Sequence, residues 1–373
     1  MRVLYHCLDA HWAEMPGITL GKLPIGQGDG IPALPDFSAI CKRWQALDAA
    51  AKPEFGPVDL VVTEPFGGAY FRGVFRRGLK MQYERRVMAQ LLNIVRRKGA
   101  RLAVIDQCDD LAIHPINEHL LEVCDVYFKR ELAIDRWRSL ESLHGGCLRM
   151  PTIGYRLEES HQLLMQKLAP ISLGLGGTES EALKLSEGMP ISGESLKIHD
   201  IFYAGDDWCR PLRQSIRHQL QSCSDPGLAI RTHQGQMPFV EFALAIHSSW
   251  LCISPPGLGW DCYRHYEAGL FGSVPVLSRP DITAHRAYIH GHDAIYYEPE
   301  RPLLEQLQPW LADKPRLIEM ARLARERVLH YHTRTARTQY MIDTLFAGKS
   351  PHISNLSHVY SNVSDRITAN RPD

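Results

Sequence analysis

The segment SPPGLGWDCYRHYEAGLFGSVPV, Ser254 to Val276, sets an arginine and a glutamate one helical turn apart, directly after a glycine-bearing loop. The guanidinium of Arg264 is a planar fork of donors that matches phosphate oxygens. The carboxylate of Glu267 would repel phosphate, but it can accept hydrogen bonds from a pair of neighbouring hydroxyls. Three residues apart on a helix, the two side chains share a face. Together they suit a nucleoside diphosphate, with Arg264 on the phosphates and Glu267 on the ribose. The competing reading is a solvated surface ion pair, because charge pairs at this spacing are common on helices.

The elements around the pair favour a binding role. The upstream run LCIS reads as a buried strand that brings the chain to the carboxyl edge of a sheet, where open α/β sheets bind ligands. Gly257 and Gly259 lack a Cβ and let the backbone come close to a ligand. Asp261 is expected as the N-cap, with the helix starting near Cys262. Free N–H groups and a partial positive charge at that end favour an anion. Gly272 is expected to end the helix, and SVPVL returns as a buried strand.

This segment resembles the donor-site region of GT-B glycosyltransferases, closest to their exostosin-like group. The pattern Ser-Pro-x-Gly, Arg-x-x-Glu-Ala, Gly-x-x-Pro-Val appears here as Ser254, Pro255, Gly257, Arg264, Glu267, Ala268, Gly272, Pro275 and Val276. DIFYAGDDWCRPLRQSI is similar to the strand, glycine and helix that open the donor domain of that family. VYFKRE is similar to a phrase late in the acceptor domain of related bacterial enzymes. The resemblance implies two facing Rossmann-like domains, with the last helices crossing back to the first. It also implies a nucleotide-diphospho-sugar as co-substrate, no metal or other cofactor, an arginine on the diphosphate and a glutamate on the ribose.

Sugar transfer requires positive charge at the departing diphosphate, and a base for the acceptor hydroxyl if the anomeric centre inverts. No Asp-x-Asp pair follows a strand in the donor half, and GDDW holds adjacent aspartates. The helix end and Arg264 would therefore carry the charge, with Lys129, Arg130, Arg210 and Arg213 as candidate helpers. The candidate base projects from the carboxyl ends of the N-terminal strands: Asp9 with His11, Glu64, or Asp106 with Asp109. Asp106 and Asp109 rank first. Asp109 or Asp110 could instead cap a following helix, and Glu64 before Pro65 could shape a turn.

The whole chain fits this frame. Its 373 residues suffice for two domains, and 45 % of them are apolar. Forty-two basic residues balance forty-two acidic ones, so bulk charge does not point to nucleic acid. Nine scattered cysteines without paired spacing fit a reduced, cytoplasmic protein and argue against a zinc site. MRVLYHCLDAHW reads as a first strand rather than a signal peptide, and no apolar run is long enough to span a membrane. RVLY, VDLVVTE, RLAVIDQ and DVYFKRE alternate with helical patterns, as do DIFYAG, LAIRTHQ, LCIS, SVPVL and DAIYYE. MPFVEFALAIHSSW is expected as a helix with Phe239, Phe242, Ile246 and Trp250 on one face.

The expected division is an acceptor-side domain over residues 1–155, a linker or mobile loop over 156–197, a donor domain over 198–348 and a polar tail over 349–373. GQGDG and GLGG lack a preceding strand at the right spacing and read as loops. The expected partners are a nucleotide sugar and a glycan, lipid-linked or protein acceptor. The tail offers a peripheral membrane or assembly contact. A nucleotide-sugar 2-epimerase of the same fold and a non-catalytic nucleotide-sugar-binding protein are the competing functions.

Overall fold

A computed structural model describes residues 1–6, 19–22, 47–65, 74–141, 143, 159–191, 196–206 and 210–346. Asp9, His11, the GQGDG motif and the 349–373 tail lie outside them. The described chain forms two parallel sheets. The first contains β1 (Arg2–His6), β2 (Thr19–Lys22), β3 (Leu60–Thr63), β4 (Arg101–Asp106), β5 (Val126–Lys129) and β6 (Leu168–Pro170), in the order β2-β1-β3-β4-β5-β6. The second contains β7 (His199–Gly205), β8 (Ile230–Gln234), β9 (Ser249–Ser254), β10 (Val274–Ser278) and β11 (Ile295–Tyr297), in the order β11-β10-β9-β7-β8. Every named strand pair is parallel.

The central strands read as unbroken apolar runs because both faces of each sheet are covered. On β4, Leu102 and Val104 enter one core with Val87 and Leu91 of the Val74–Lys98 helix. Ala103 and Ile105 face the opposite core, with Phe128, Met341 and Leu345. The last helix, Arg334–Phe346, therefore packs against the first sheet although it follows the second in sequence. Tyr340 meets Phe128 edge-on, with ring centroids 5.8 Å apart, and Arg101 donates to the Leu345 carbonyl at 2.5 Å. Of the final helices, this last one crosses back to the first sheet, while the Lys314–Arg327 helix stays with the second.

Within 156–197, read from sequence as a linker, the described residues are not irregular. They include the Glu159–Gln166 helix, strand β6 and the Glu179–Glu187 helix. Leu173, Leu175, Ala182 and Met189 join the core of the second sheet with Phe202, Ala204 and Phe271. A three-residue strand and a short helix rich in Ser and Glu carry little periodicity, which is why composition pointed to a loop. The Phe239–His247 helix is shorter than expected, and Trp250 lies in β9 rather than on its face.

The carboxyl edges of the two sheets meet. Just past β5, Leu132 accepts a hydrogen bond from the Thr283 N–H at 2.6 Å, and Ala133 forms an isolated antiparallel bridge to Ile282 just past β10.

Candidate functional site

Strand β9 is buried throughout and ends at Ser254. The loop 255–261 then turns into the Tyr263–Leu270 helix. Gly272 adopts φ 81°, the left-handed geometry that ends a helix without the strain a Cβ would bring. The N-cap is Cys262 rather than Asp261, and no side chain caps this end. Asp261 is buried. Its carboxylate accepts from the Leu173 N–H at 2.6 Å and from the Tyr266 hydroxyl at 2.5 Å. A carboxylate spent on those two donors is not available to the first turn.

Arg264 extends from the first turn towards the end of β7. A Cβ built on Gly205 would lie 3.3 Å from its Nη2, 3.5 Å from its Nη1 and 3.7 Å from Nη1 of Arg213. The two guanidinium groups therefore converge on the same bare backbone. Arg213 is held by carbonyls: its Nε donates to Pro256 at 2.9 Å and its Nη1 to Asp206 at 3.2 Å. A Cβ on Gly257 would lie 3.2 Å from Arg213 Nη2. The Nε of Arg264 is buried without a hydrogen-bond partner among the described residues. Among the described residues neither arginine is ion-paired to a carboxylate. Arg217 is not part of this free charge, because it binds the carbonyls of Gly205 and His233 at 2.7 and 3.2 Å.

Glu267 is half-buried one turn beyond Arg264. Burial raises its carboxyl to about 7, against a lowering by the Arg264 charge. His265 is fully enclosed, and burial drives it down to about 3, so it is neutral. Its Nε2 faces the Trp260 carbonyl at 2.8 Å and must donate there, so Nδ1 accepts from the Ser254 hydroxyl at 2.7 Å. That neutral ring ties the loop to the end of β9. Sequence reading passed over His265 because a histidine in an amphipathic helix carries no distinctive pattern.

Gly259 faces Glu131 and Arg130. A Cβ there would lie 2.5 Å from Cδ of Glu131 and 3.0 Å from Nη2 of Arg130. Both residues lie in the turn just past β5 of the first sheet. The Glu131 carboxylate accepts the Trp260 N–H and the Asp261 N–H, each at 2.9 Å. Arg130 pairs with Asp109 and also stands 3.4 Å from Glu131.

The candidate carboxylates divide by environment. Asp106 is buried and accepts from the Tyr127 hydroxyl at 3.0 Å, Lys129 Nζ at 3.1 Å and the Cys108 N–H at 3.0 Å. Lys129 has no exposed surface, so it presents no ammonium to a diphosphate. Asp109 lies past β4 with 43 % of its side chain exposed. Glu64 stands half-buried just past β3, and Arg210 occupies the N-cap of the Pro211–Gln221 helix. The site thus brings together Arg264, Arg213, Gly257 and Glu267 at one edge, and Arg130 with Gly259 at the interface of the sheets. Lys129 and Asp106 sit inside the first sheet.

Comparisons with known proteins bear on the family pattern and the fold. Residues 256–343 match the family model described as glycosyl transferase-like. A search of curated protein sequences returns no match. Among solved structures, an α-glucosyltransferase in complex with UDP-glucose and DNA containing an abasic site aligns with TM-score 0.53 and 9 % identity, over 92 % of this chain and 98 % of that one. A glycosyltransferase from Rickettsia africae ESF-5 aligns with TM-score 0.49 and 9 % identity, over 93 % of this chain and 99 % of that one. At that identity the likeness to the α-glucosyltransferase speaks for the fold alone, and the activity class comes from the family pattern that spans the loop, Arg264, Glu267 and the helices beyond. The chain is a glycosyltransferase of GT-B fold.

Proposed function

We propose that the protein moves a sugar from a nucleotide-diphospho-sugar to a hydroxyl of a glycan or glycoconjugate acceptor, with protein charges rather than a metal balancing the departing diphosphate. The observation that carries this reading is the convergence of Arg264 and Arg213 on Gly205 without a carboxylate partner among the described residues. Two guanidinium groups held this close repel one another until an anion lies between them. A diphosphate meets both with charge-assisted hydrogen bonds. Glu267, one turn further along the same helix, receives the ribose hydroxyls. A solved neighbour of the same fold carries UDP-glucose, which makes uridine nucleotides the first donors to test.

In the transfer, the acceptor oxygen attacks the anomeric carbon and the bond from that carbon to the diphosphate breaks. The bonding pair leaves with the diphosphate, where Arg264, Arg213 and the amino end of the Tyr263–Leu270 helix stabilise it. We assign removal of the acceptor proton to Glu64 or Asp109, which among the described candidates stand past the carboxyl ends of β3 and β4 with partly exposed side chains. Asp106 serves instead to hold Lys129 and Tyr127. The described cysteines Cys108, Cys124, Cys223, Cys252 and Cys262 are free thiols, which fits a cytoplasmic setting. No helix among the described residues is long and apolar enough to cross a membrane.

The test is release of nucleoside diphosphate from a panel of nucleotide sugars, with and without oligosaccharide acceptors. Release from at least one donor, accelerated by an acceptor, is the expected result. Inertness towards every donor, in protein shown to be folded, would contradict the reading.

A further inference from the structure

The donor loop is not self-supporting. Its Trp260 and Asp261 N–H groups are met by one carboxylate from the other sheet, that of Glu131, whose side chain is only 2 % exposed. Each oxygen takes one N–H, a bidentate grip that fixes both the position and the tilt of the loop. Gly259 makes the approach possible, since a Cβ there would overlap the carboxylate. Arg130 stands against Glu131 at 3.4 Å and is itself paired with Asp109 on the open side. The side chains of the two loop residues are also committed. The Trp260 indole donates to the Ser278 carbonyl at 3.1 Å, and the Asp261 carboxylate binds Leu173 and Tyr266. The loop then passes its placement to the diphosphate cluster, because the Pro256 carbonyl holds Arg213 at 2.9 Å.

We propose that Glu131 is a positioning residue of the donor site: supplied by the turn past β5 of the acceptor-side sheet, it sets the loop from Pro255 to Asp261 and, through that loop, the place of Arg213. The inference rests on the nucleotide-diphosphate reading of the site. It makes diphosphate affinity depend on a side chain that never touches the nucleotide, and it links the two sheets at the point of reaction. Simple adhesion between domains would predict lower stability and nothing more.

Calorimetric titration with UDP, GDP and dTDP separates these outcomes, because unfolded protein lowers the apparent stoichiometry whereas a displaced loop weakens Kd. Glu131→Gln keeps the size of the side chain, but its amide sets an NH2 group against one of the two N–H donors. Binding of the preferred nucleoside diphosphate should weaken about tenfold with stoichiometry unchanged. Amide hydrogen exchange at Trp260 and Asp261 should accelerate. Gly259→Ala displaces the same carboxylate and should weaken binding similarly, with little added loss in the double variant, since both changes break one contact. If wild-type protein binds a nucleoside diphosphate and Glu131→Gln binds it equally well, the positioning role is overturned and the donor site stands. If wild-type protein binds none, the donor-site reading falls and this proposal falls with it.

Discussion

Replacing Asp106 by asparagine separates a structural carboxylate from a catalytic one. The substitution preserves shape but removes the charge that faces Lys129, an ammonium with no exposed surface 3.1 Å away. Asparagine also offers one acceptor oxygen where the carboxylate offers two to Tyr127, Lys129 and the Cys108 N–H. Removing one member of a buried ion pair costs about 3–5 kcal/mol, because the other charge is left uncompensated. In a domain of this size that corresponds to a fall in melting temperature on the order of 10 °C. Thermal and urea unfolding would read the loss, and calorimetry would show nucleoside diphosphate affinity within about twofold of wild type, since the donor cluster lies on the other sheet. The double variant Asp106→Asn with Lys129→Met should recover much of the stability by removing the orphaned charge. An Asp106→Asn protein as stable as wild type, but with sugar transfer abolished, would refute the structural assignment and return Asp106 to the role of base.

Three further outcomes follow from the site. Burial holds Glu267 at about 7, so its ionised form, the one proposed to receive the ribose, is lost as pH falls through that value. Nucleoside affinity should therefore weaken by up to about tenfold per pH unit below 7, and Glu267→Gln should abolish the step. The sign for folding is opposite: a carboxyl raised by burial favours the protonated folded state, so its contribution to stability is present below its unfolded value and declines as pH rises towards 7. Activity should survive EDTA, as charge balance by arginines requires, and a strict need for manganese or magnesium restored by that metal alone would count against this account.

The sheets were legible because their central strands are buried on both faces and read as apolar runs between helical patterns. Strand β6 was not, since three residues ending in proline carry no period, and the Gly- and Ser-rich composition around them pointed to a loop. At the site, the spacing of Arg264 and Glu267 and the glycine at 272 were readable, because they depend on local helix geometry. The roles of Gly259, Asp261 and Glu131 were not. Each is defined by a partner distant in the chain: Glu131 meets residues 260 and 261, and Asp261 meets Leu173. For the same reason Lys129 looked like a phosphate ligand until its partner, Asp106 on the neighbouring strand, was known.

The central claim, that Arg264 and Arg213 form the diphosphate cradle, is tested most directly by titrating nucleoside diphosphates into wild-type, Arg264→Ala and Arg213→Ala proteins. Each alanine removes charge-assisted hydrogen bonds worth roughly 1.5–3 kcal/mol, so each should weaken the diphosphate about tenfold to a hundredfold. The parent nucleoside, which lacks the phosphates, should bind almost as before. Arg264→Lys should recover only part of the loss, because an ammonium cannot supply the planar fork. Diphosphate binding unchanged in both alanine variants, for a nucleotide that wild-type protein clearly binds, would contradict the account.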